Sequence, residues 1–235
     1  MASIINAIRN ISSDKWWALK LPILAAPIFM ILDNNVIDQL DSSSNILMLV
    51  LLSFVYFGCA GFLMHQNINN KSPFLPSLFK LPRFFKYSIV TSLISLPSIM
   101  IYLYIMNYII ENVILEPFIM WVIYICVTLF ISPFVFIPAV LYSARGKISD
   151  AFKFNIIIEA GGNFSVQFLS FIIQYFFTIF LVTLLFYYLF FNMLENDTVL
   201  NIVYSLSFVI SFLTLYSYCS DMYAEVIPVI VKEDI

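Results

Sequence analysis

Charged side chains are scarce in this chain, and they are absent from its long apolar runs except near the ends of those runs. Asp, Glu, Lys and Arg make up 11% of the 235 residues, whereas hydrophobic residues make up 62%. Soluble domains are only about half apolar, so the composition predicts a polytopic membrane protein. A charge at mid-bilayer costs at least ~2.5 to 3.5 kcal/mol, and proton relays, ion-coupled pumps and voltage sensors accept that cost. The missing charges therefore argue against a proton-coupled transporter.

The residue types of catalytic and metal sites are also few. The chain has one histidine, His65, and three cysteines that all lie in apolar runs. No His or Cys cluster has the spacing of metal ligands, and the GxSxG, P-loop and HExxH motifs are absent. Asp221 and Glu225, one helical turn apart, could bind a cation or an arginine of a partner, but they are interpreted as a solvated helix end. His65 is interpreted as a polar end-cap. We expect no enzyme activity, no cofactor, no metal ion and no nucleic-acid partner.

Residues 65–86 form a proline-broken segment between two apolar runs. Its four cations are Lys71, Lys80, Arg83 and Lys86. Because Lys and Arg stay on the cytoplasmic side of bacterial-type membranes, the segment is predicted to be an inner loop. Alternating the spans from this loop places all 11 Lys and Arg inside and divides the 14 acidic residues evenly between the two sides. This distribution predicts six spans, with both termini in the cytoplasm.

The predicted fold is an all-α, polytopic transmembrane helical bundle that forms a single integral membrane domain over residues 1–235. The predicted spans are about 18–32, 46–64, 87–110, 118–142, 164–191 and 199–220. Since roughly 20 residues are needed to cross the hydrocarbon core, the first span is short. It also contains Pro22 and Pro27, so we expect it to be tilted or kinked. No small-residue cleavage site follows it, which indicates an uncleaved span rather than a signal peptide.

The N-terminal segment, residues 3–13, has the pattern of a helix that lies on a membrane surface. Ile4, Ile8 and Ile11 recur at helical spacing, and polar residues occupy the opposite side. The two tryptophans that follow favour the headgroup level. The segment is therefore predicted to be a short interfacial amphipathic helix ahead of the first span.

The second inner loop, residues 143–163, predicts another interfacial amphipathic helix. Ser149 is a suitable N-cap, and apolar residues gather on one side of the helical projection. Gly161 and Gly162 are expected to end this helix, and Asn163 is expected to cap the fifth span.

Small polar residues form stripes at helical spacing on the third, fifth and sixth predicted spans. The candidate cavity-lining members are Ser95, Ser98, Gln167, Gln174, Ser211 and Thr214. Small polar residues let membrane helices approach closely and form hydrogen bonds across the contact, so one interpretation is helix packing. The other interpretation is a polar cavity, since carriers and channels can coordinate a substrate through hydroxyls, amides and backbone carbonyls.

The run SDAFKFNIIIEAGGNFSVQF, residues 149–168, resembles a segment before the fifth span of several uncharacterised prokaryotic six-span families. They include YciC-like proteins and the membrane domain attached to some glycerophosphodiester phosphodiesterases. The run PSLFKLPRFFKYS before the third span is similar to the inner loop of a related family of unknown function. The resemblance implies a six-span layout in a prokaryotic plasma membrane, and it implies no catalytic or binding residues.

Two functions fit these features. In the first, the protein is a non-enzymatic membrane scaffold whose basic cytoplasmic face docks anionic lipid headgroups or a membrane or cytoplasmic protein partner. The candidate docking residues are Lys71, Lys80, Arg83, Lys86, Phe84 and Phe85. Positive-inside anchoring alone is the simpler explanation of the same charges. In the second function, the protein is a small permease or channel component that uses the polar stripes. The sequence leaves the oligomeric state open.

Overall fold

The computed structural model describes residues 3–32, 42–69, 81–112, 116–190 and 197–226. Within these residues the chain is almost entirely α-helical and has no strand, which confirms the predicted all-α fold. In chain order the helices are α1 (Ile4–Ser12), α2 (Trp17–Leu32), α3 (Ser42–Ile68), α4 (Leu81–Asn112), α5 (Pro117–Arg145), α6 (Ile148–Ala151), α7 (Phe154–Phe190) and α8 (Asp197–Val226).

Five helices in the described part of the chain are long and apolar enough to cross a membrane, namely α3, α4, α5, α7 and α8. Helix α2 has only 16 residues. It follows α1 at a bend of 101°, and the bent pair would be a sixth span if the two helices are taken together. These lengths and compositions fit a multi-pass membrane protein, as the sequence predicts.

Helix α7 begins at Phe154 rather than at about residue 164, where the fifth span was predicted. It runs without interruption through Gly161 and Gly162, so the prediction that these glycines end a separate interfacial helix is wrong. A helical glycine costs only ~1 kcal/mol relative to alanine. Gly161 also packs against Pro133 of α5, and this contact between helices favours one continuous helix over a break.

The short helix α6 takes the place of the predicted interfacial helix. It has 4 residues, and its N-cap is Lys147, so the assignment of Ser149 as the N-cap is wrong. Helix α5 ends at Arg145, and its C-cap is Gly146, whose φ of 71° lies in the left-handed region that favours glycine. The Gly146 amide donates to the Tyr142 carbonyl at 2.7 Å. This capped end turns the chain directly into α6.

Helix α1 forms as predicted, but its apolar edge packs against α8. Ile4, Ala7 and Ile11 are buried, whereas Ile8 is 41% exposed. The buried edge therefore differs from the predicted one at a single position. Ala7 takes the place of Ile8, so the buried edge is turned around the helix axis by one residue position, toward α8.

Three helices form the centre of the bundle. Helix α3 packs against α4, α5 and α8, helix α5 also packs against α6 and α7, and helix α8 also packs against α1, α2 and α7. Aromatic rings fill the contacts between these central helices. The ring of Tyr216 in α8 lies 5.3 Å from that of Phe136 in α5 and 6.5 Å from that of Phe57 in α3, both edge-on.

Contacts between helix termini show which ends lie together. The Asn67 side chain at the end of α3 donates to the Asp221 carboxylate near the end of α8 at 3.0 Å. The His65 ring lies 2.7 Å from the Ser143 carbonyl oxygen near the end of α5. It also lies 5.2 Å from the ring of Tyr87, near the start of α4. We call this end of the bundle the basic end, because the described Lys and Arg are close in sequence to the helix termini that meet there.

Candidate functional site

The polar stripe of α4 lies mainly in the contact with α3. Ser88 and Thr91 are buried, and they face two glycines of α3. A Cβ atom at Gly58 would collide with the Ser88 hydroxyl, and one at Gly61 would collide with the Thr91 hydroxyl. Close approach of helix backbones at small residues is typical of membrane helix pairs. The helix-packing interpretation therefore fits this part of the stripe.

The candidate cavity residues of α4 lie one and two turns further along. Ser95 is fully buried, and the Ser98 hydroxyl donates to the Phe134 carbonyl of α5 at 3.3 Å. In α8, Thr214 is also buried. These three residues are thus enclosed by, or bonded to, the central helices.

The remaining candidate cavity residues lie where α7 meets α1 and α8. The Gln167 carbonyl accepts from the Tyr218 hydroxyl at 3.3 Å, and the Tyr175 hydroxyl donates to Ser211. The Gln174 side-chain oxygen accepts from the backbone amide of Ile4 at 3.4 Å. These bonds fasten α7 to its neighbours. A cavity between the stripes stays a prediction.

Three of the six candidate docking residues have described side chains, at the start of α4. Phe85 and Lys86 are exposed. Phe84 is partly buried, and its ring lies beside Gly58 of α3, so its role in this position is helix packing. The structure does not describe the side chains of the other three. Lys71 and Lys80 lie outside the described residues, and Arg83 lies in α4.

A second group of cations lies on the turn between α5 and α7. Asp150 is buried at its centre, with 6% exposed. One of its carboxylate oxygens lies 3.4 Å from Lys153 Nζ, and the other lies 3.9 Å from a guanidinium nitrogen of Arg145. Lys147 is exposed on the same turn. Two cations thus lie beside one acid and a third is exposed nearby, so the turn carries excess positive charge. The run RGKISDAFK places these cations on the predicted second inner loop, but none of them is among the predicted docking residues.

Exposed apolar side chains flank the cations. Ile148, Phe152 and Phe154 are 53%, 55% and 60% exposed. Just before α2, Trp16 is 60% exposed, and Lys15 Nζ lies 5.8 Å from its ring centroid. Aromatic rings and long cationic side chains favour the headgroup layer, where the apolar part meets lipid and the charge stays in water.

The start of α4 and the α5–α7 turn belong to one side of the bundle. Ala151 is buried in a cluster with Tyr87 and Tyr142, and Tyr87 directly follows Lys86. We define the basic surface as Phe85, Lys86, Arg145, Lys147, Ile148, Phe152, Lys153 and Phe154. It combines the described part of the predicted docking loop with the second group of cations.

Hydrogen bonds join α1, α3 and α8 at the basic end. The Asp221 carboxylate accepts from Asn67 at 3.0 Å and from Asn10 at 3.4 Å. Asn67 also donates to the Ser220 hydroxyl at 2.5 Å. Asp221 therefore links three helices, a role that its interpretation as a solvated helix end does not include.

An ion pair fixes the bend between α1 and α2. Lys20 Nζ lies 2.6 Å from one Asp14 carboxylate oxygen, and the Trp16 backbone amide donates to the other at 2.9 Å. Asp14 is only 1% exposed. Because a buried charge requires a partner, the pair holds α1 against the bundle.

Within the described ranges, no three or more His, Cys, Asp or Glu residues are grouped so that they could hold a metal ion. Comparisons with protein-family models, with curated proteins and with solved structures find no match to this chain.

Proposed function

We propose that this chain is a six-span protein of a prokaryotic cell membrane with both termini in the cytoplasm. We further propose that its role is non-enzymatic and that its basic surface binds anionic phospholipid headgroups. The five long apolar helices support the layout, and α2 is the sixth span. At ~1.5 Å per residue its 16 residues reach about 24 Å, somewhat less than the ~30 Å hydrocarbon core. The exposed Trp16 extends this span into the headgroup layer.

The alternation of exposed cations with exposed apolar side chains carries the proposal. Phe85 precedes Lys86, Lys147 precedes Ile148, and Lys153 stands between two exposed phenylalanines. Such a surface is unfavourable in water, because it exposes rings that could be buried. At an anionic leaflet each cation near the surface contributes ~1 kcal/mol, and the rings enter the boundary between headgroups and acyl chains.

Lipid selectivity tests the proposal. The purified chain would be placed in mixed phosphatidylcholine and phosphatidylglycerol nanodiscs, and the phosphatidylglycerol retained around it would be measured. We expect enrichment that falls strongly in the triple variant K86Q/K147Q/K153Q, whose three substitutions all lie in the basic surface. It should persist in K86R/K147R/K153R, which keeps the charges. Equal enrichment in all three proteins, with unchanged topology, would contradict lipid binding by the basic surface and would leave positive-inside anchoring as the only role of its charges. Enrichment by none of them would point to a protein partner as the ligand of this surface.

A transport function is the second proposal, and one observation favours it. Among the described residues, the buried hydroxyls of Ser92 and Thr214 have no hydrogen-bond partner, and buried polar groups are normally paired. A substrate or water passing between the helices would pair with them. A flux assay in proteoliposomes separates the two functions. A permease should carry solute and should lose that activity in T214V, whereas a docking protein should carry none.

A further inference from the structure

We propose that the turn around Asp150 is a preformed site for the phosphate of one anionic phospholipid. Arg145 and Lys153 bind the phosphate, and Asp150 is the positioning residue between them. This inference rests on the proposed function, because it assigns the basic surface one specific lipid position. It differs from the predicted docking loop, which contributes none of the three residues.

The buried Asp150 lies beside both Arg145 and Lys153, and the side chains of these two cations reach the surface. Asp150 is held inside the protein with 6% exposed, whereas the side chains of Arg145 and Lys153 are 34% and 35% exposed. A guanidinium has five N–H donors and an ammonium has three. One carboxylate uses only part of these, so donors of both side chains remain for a ligand on the exposed side.

The backbone that carries these residues is held by packing and by the turn at Gly146. Ala151 is 1% exposed and packs in a cluster with Tyr87 and Tyr142. Gly146 sets the direction of the turn through its positive φ. Fixing the side chains before the ligand arrives reduces the entropy lost on binding. The backbone positions of both cations are thus set before a ligand binds, and Asp150 lies between their side chains.

The charge and the surroundings identify the ligand as a lipid. Three cations and one acid give the turn a net charge of +2, which suits an anionic phosphodiester. Ile148, Phe152 and Phe154 lie exposed around the cations, and inorganic phosphate has no apolar part to contact them. A phospholipid has both parts, with its phosphate between Arg145 and Lys153 and its glycerol and upper acyl chains against the apolar side chains.

Two variants with the same charge change test the site in the full-length chain. K153Q removes a cation that contacts Asp150, and K147Q removes an exposed one for which no such contact is found. Phosphatidylglycerol is titrated into the detergent-solubilised proteins, and bound lipid is counted by native mass spectrometry. Diffuse attraction predicts an equal loss of affinity in both, about fivefold. A specific site at Asp150 predicts a loss of affinity of about fivefold or less in K147Q and of about tenfold or more in K153Q.

The variant D150N gives an independent test through the sign of its effect. Removing a negative charge should strengthen diffuse attraction to anionic lipid, whereas removing the positioning residue should weaken binding. Tighter binding in D150N, or equal losses in K147Q and K153Q, would overturn the site while leaving the proposed function intact. Absence of phosphatidylglycerol binding by the unaltered protein would overturn both.

Competition with inorganic phosphate separates the two sources of the ligand. Bound phosphatidylglycerol should persist, because inorganic phosphate cannot replace the apolar contacts. Displacement at low phosphate concentration would overturn the lipid assignment. K153Q keeps the test decisive if D150N does not fold, since Lys153 is partly exposed.

Discussion

The close contact between α3 and α4 gives a quantitative test of the packing at Gly61. A Cβ atom at this position would collide with the Thr91 hydroxyl, and it would lie 3.4 Å from the Cβ atoms of Thr91 and Tyr87. The collision is thus confined to one side-chain atom. Removing that atom should make room for a methyl group, so G61A and T91A should compensate each other.

The expected magnitudes follow from two opposing effects. Overpacking costs about 1–3 kcal/mol, and alanine is favoured over glycine in a helix by up to ~1 kcal/mol. We therefore expect G61A to lower the free energy of unfolding by about 1–2 kcal/mol. In the T91A background the same substitution should be neutral or stabilising, which corresponds to a coupling energy of about 1–2 kcal/mol.

Unfolding of the four proteins in mixed micelles, followed by circular dichroism, would measure this cycle. G162A is the matched control, because a Cβ atom there meets nothing within 4 Å; it should be neutral or slightly stabilising. If G61A is as stable as the unaltered protein, or if T91A does not rescue it, the described contact between α3 and α4 is wrong.

Three further predictions concern the basic end. D14N breaks the ion pair with Lys20, so hydrogen exchange of the α1 amides should increase by about tenfold or more; unchanged exchange would show that the pair does not hold α1. N67A removes the bonds to Asp221 and Ser220, and it should cost about 1 kcal/mol of unfolding free energy in micelles. G146A should cost about 1–2 kcal/mol, because alanine is strained at a φ of 71°, whereas G146N should cost less; equal stability of all three proteins would contradict the described turn.

The helical architecture could be predicted because it depends on features that are local in sequence. Apolar runs and the placement of Lys and Arg identify the helices, and α2 at Trp17–Leu32 agrees closely with the predicted first span. The path of α7 through Gly161 could not be predicted in this way. Gly161 lies beside Pro133 of α5, which is distant in sequence, so the packing around this glycine does not appear in the local pattern.

The candidate sites were less predictable, because their chemistry depends on which residues meet. The sequence predicts that Phe84 belongs to an exposed basic loop, yet its ring packs beside Gly58. Asp150 reads as one acid among cations, and only the fold shows it buried between Arg145 and Lys153. Periodicity indicates a face of a helix, but it does not identify the element that covers that face.

The side of the membrane on which the basic surface lies is the central claim, and cysteine labelling tests it most directly. Lys147 is exposed on the turn, so K147C, in a variant whose three native cysteines are replaced, gives one reactive thiol. A membrane-impermeant maleimide should label it in inverted membrane vesicles and not in intact cells. Labelling in intact cells would place the basic surface outside and contradict the account.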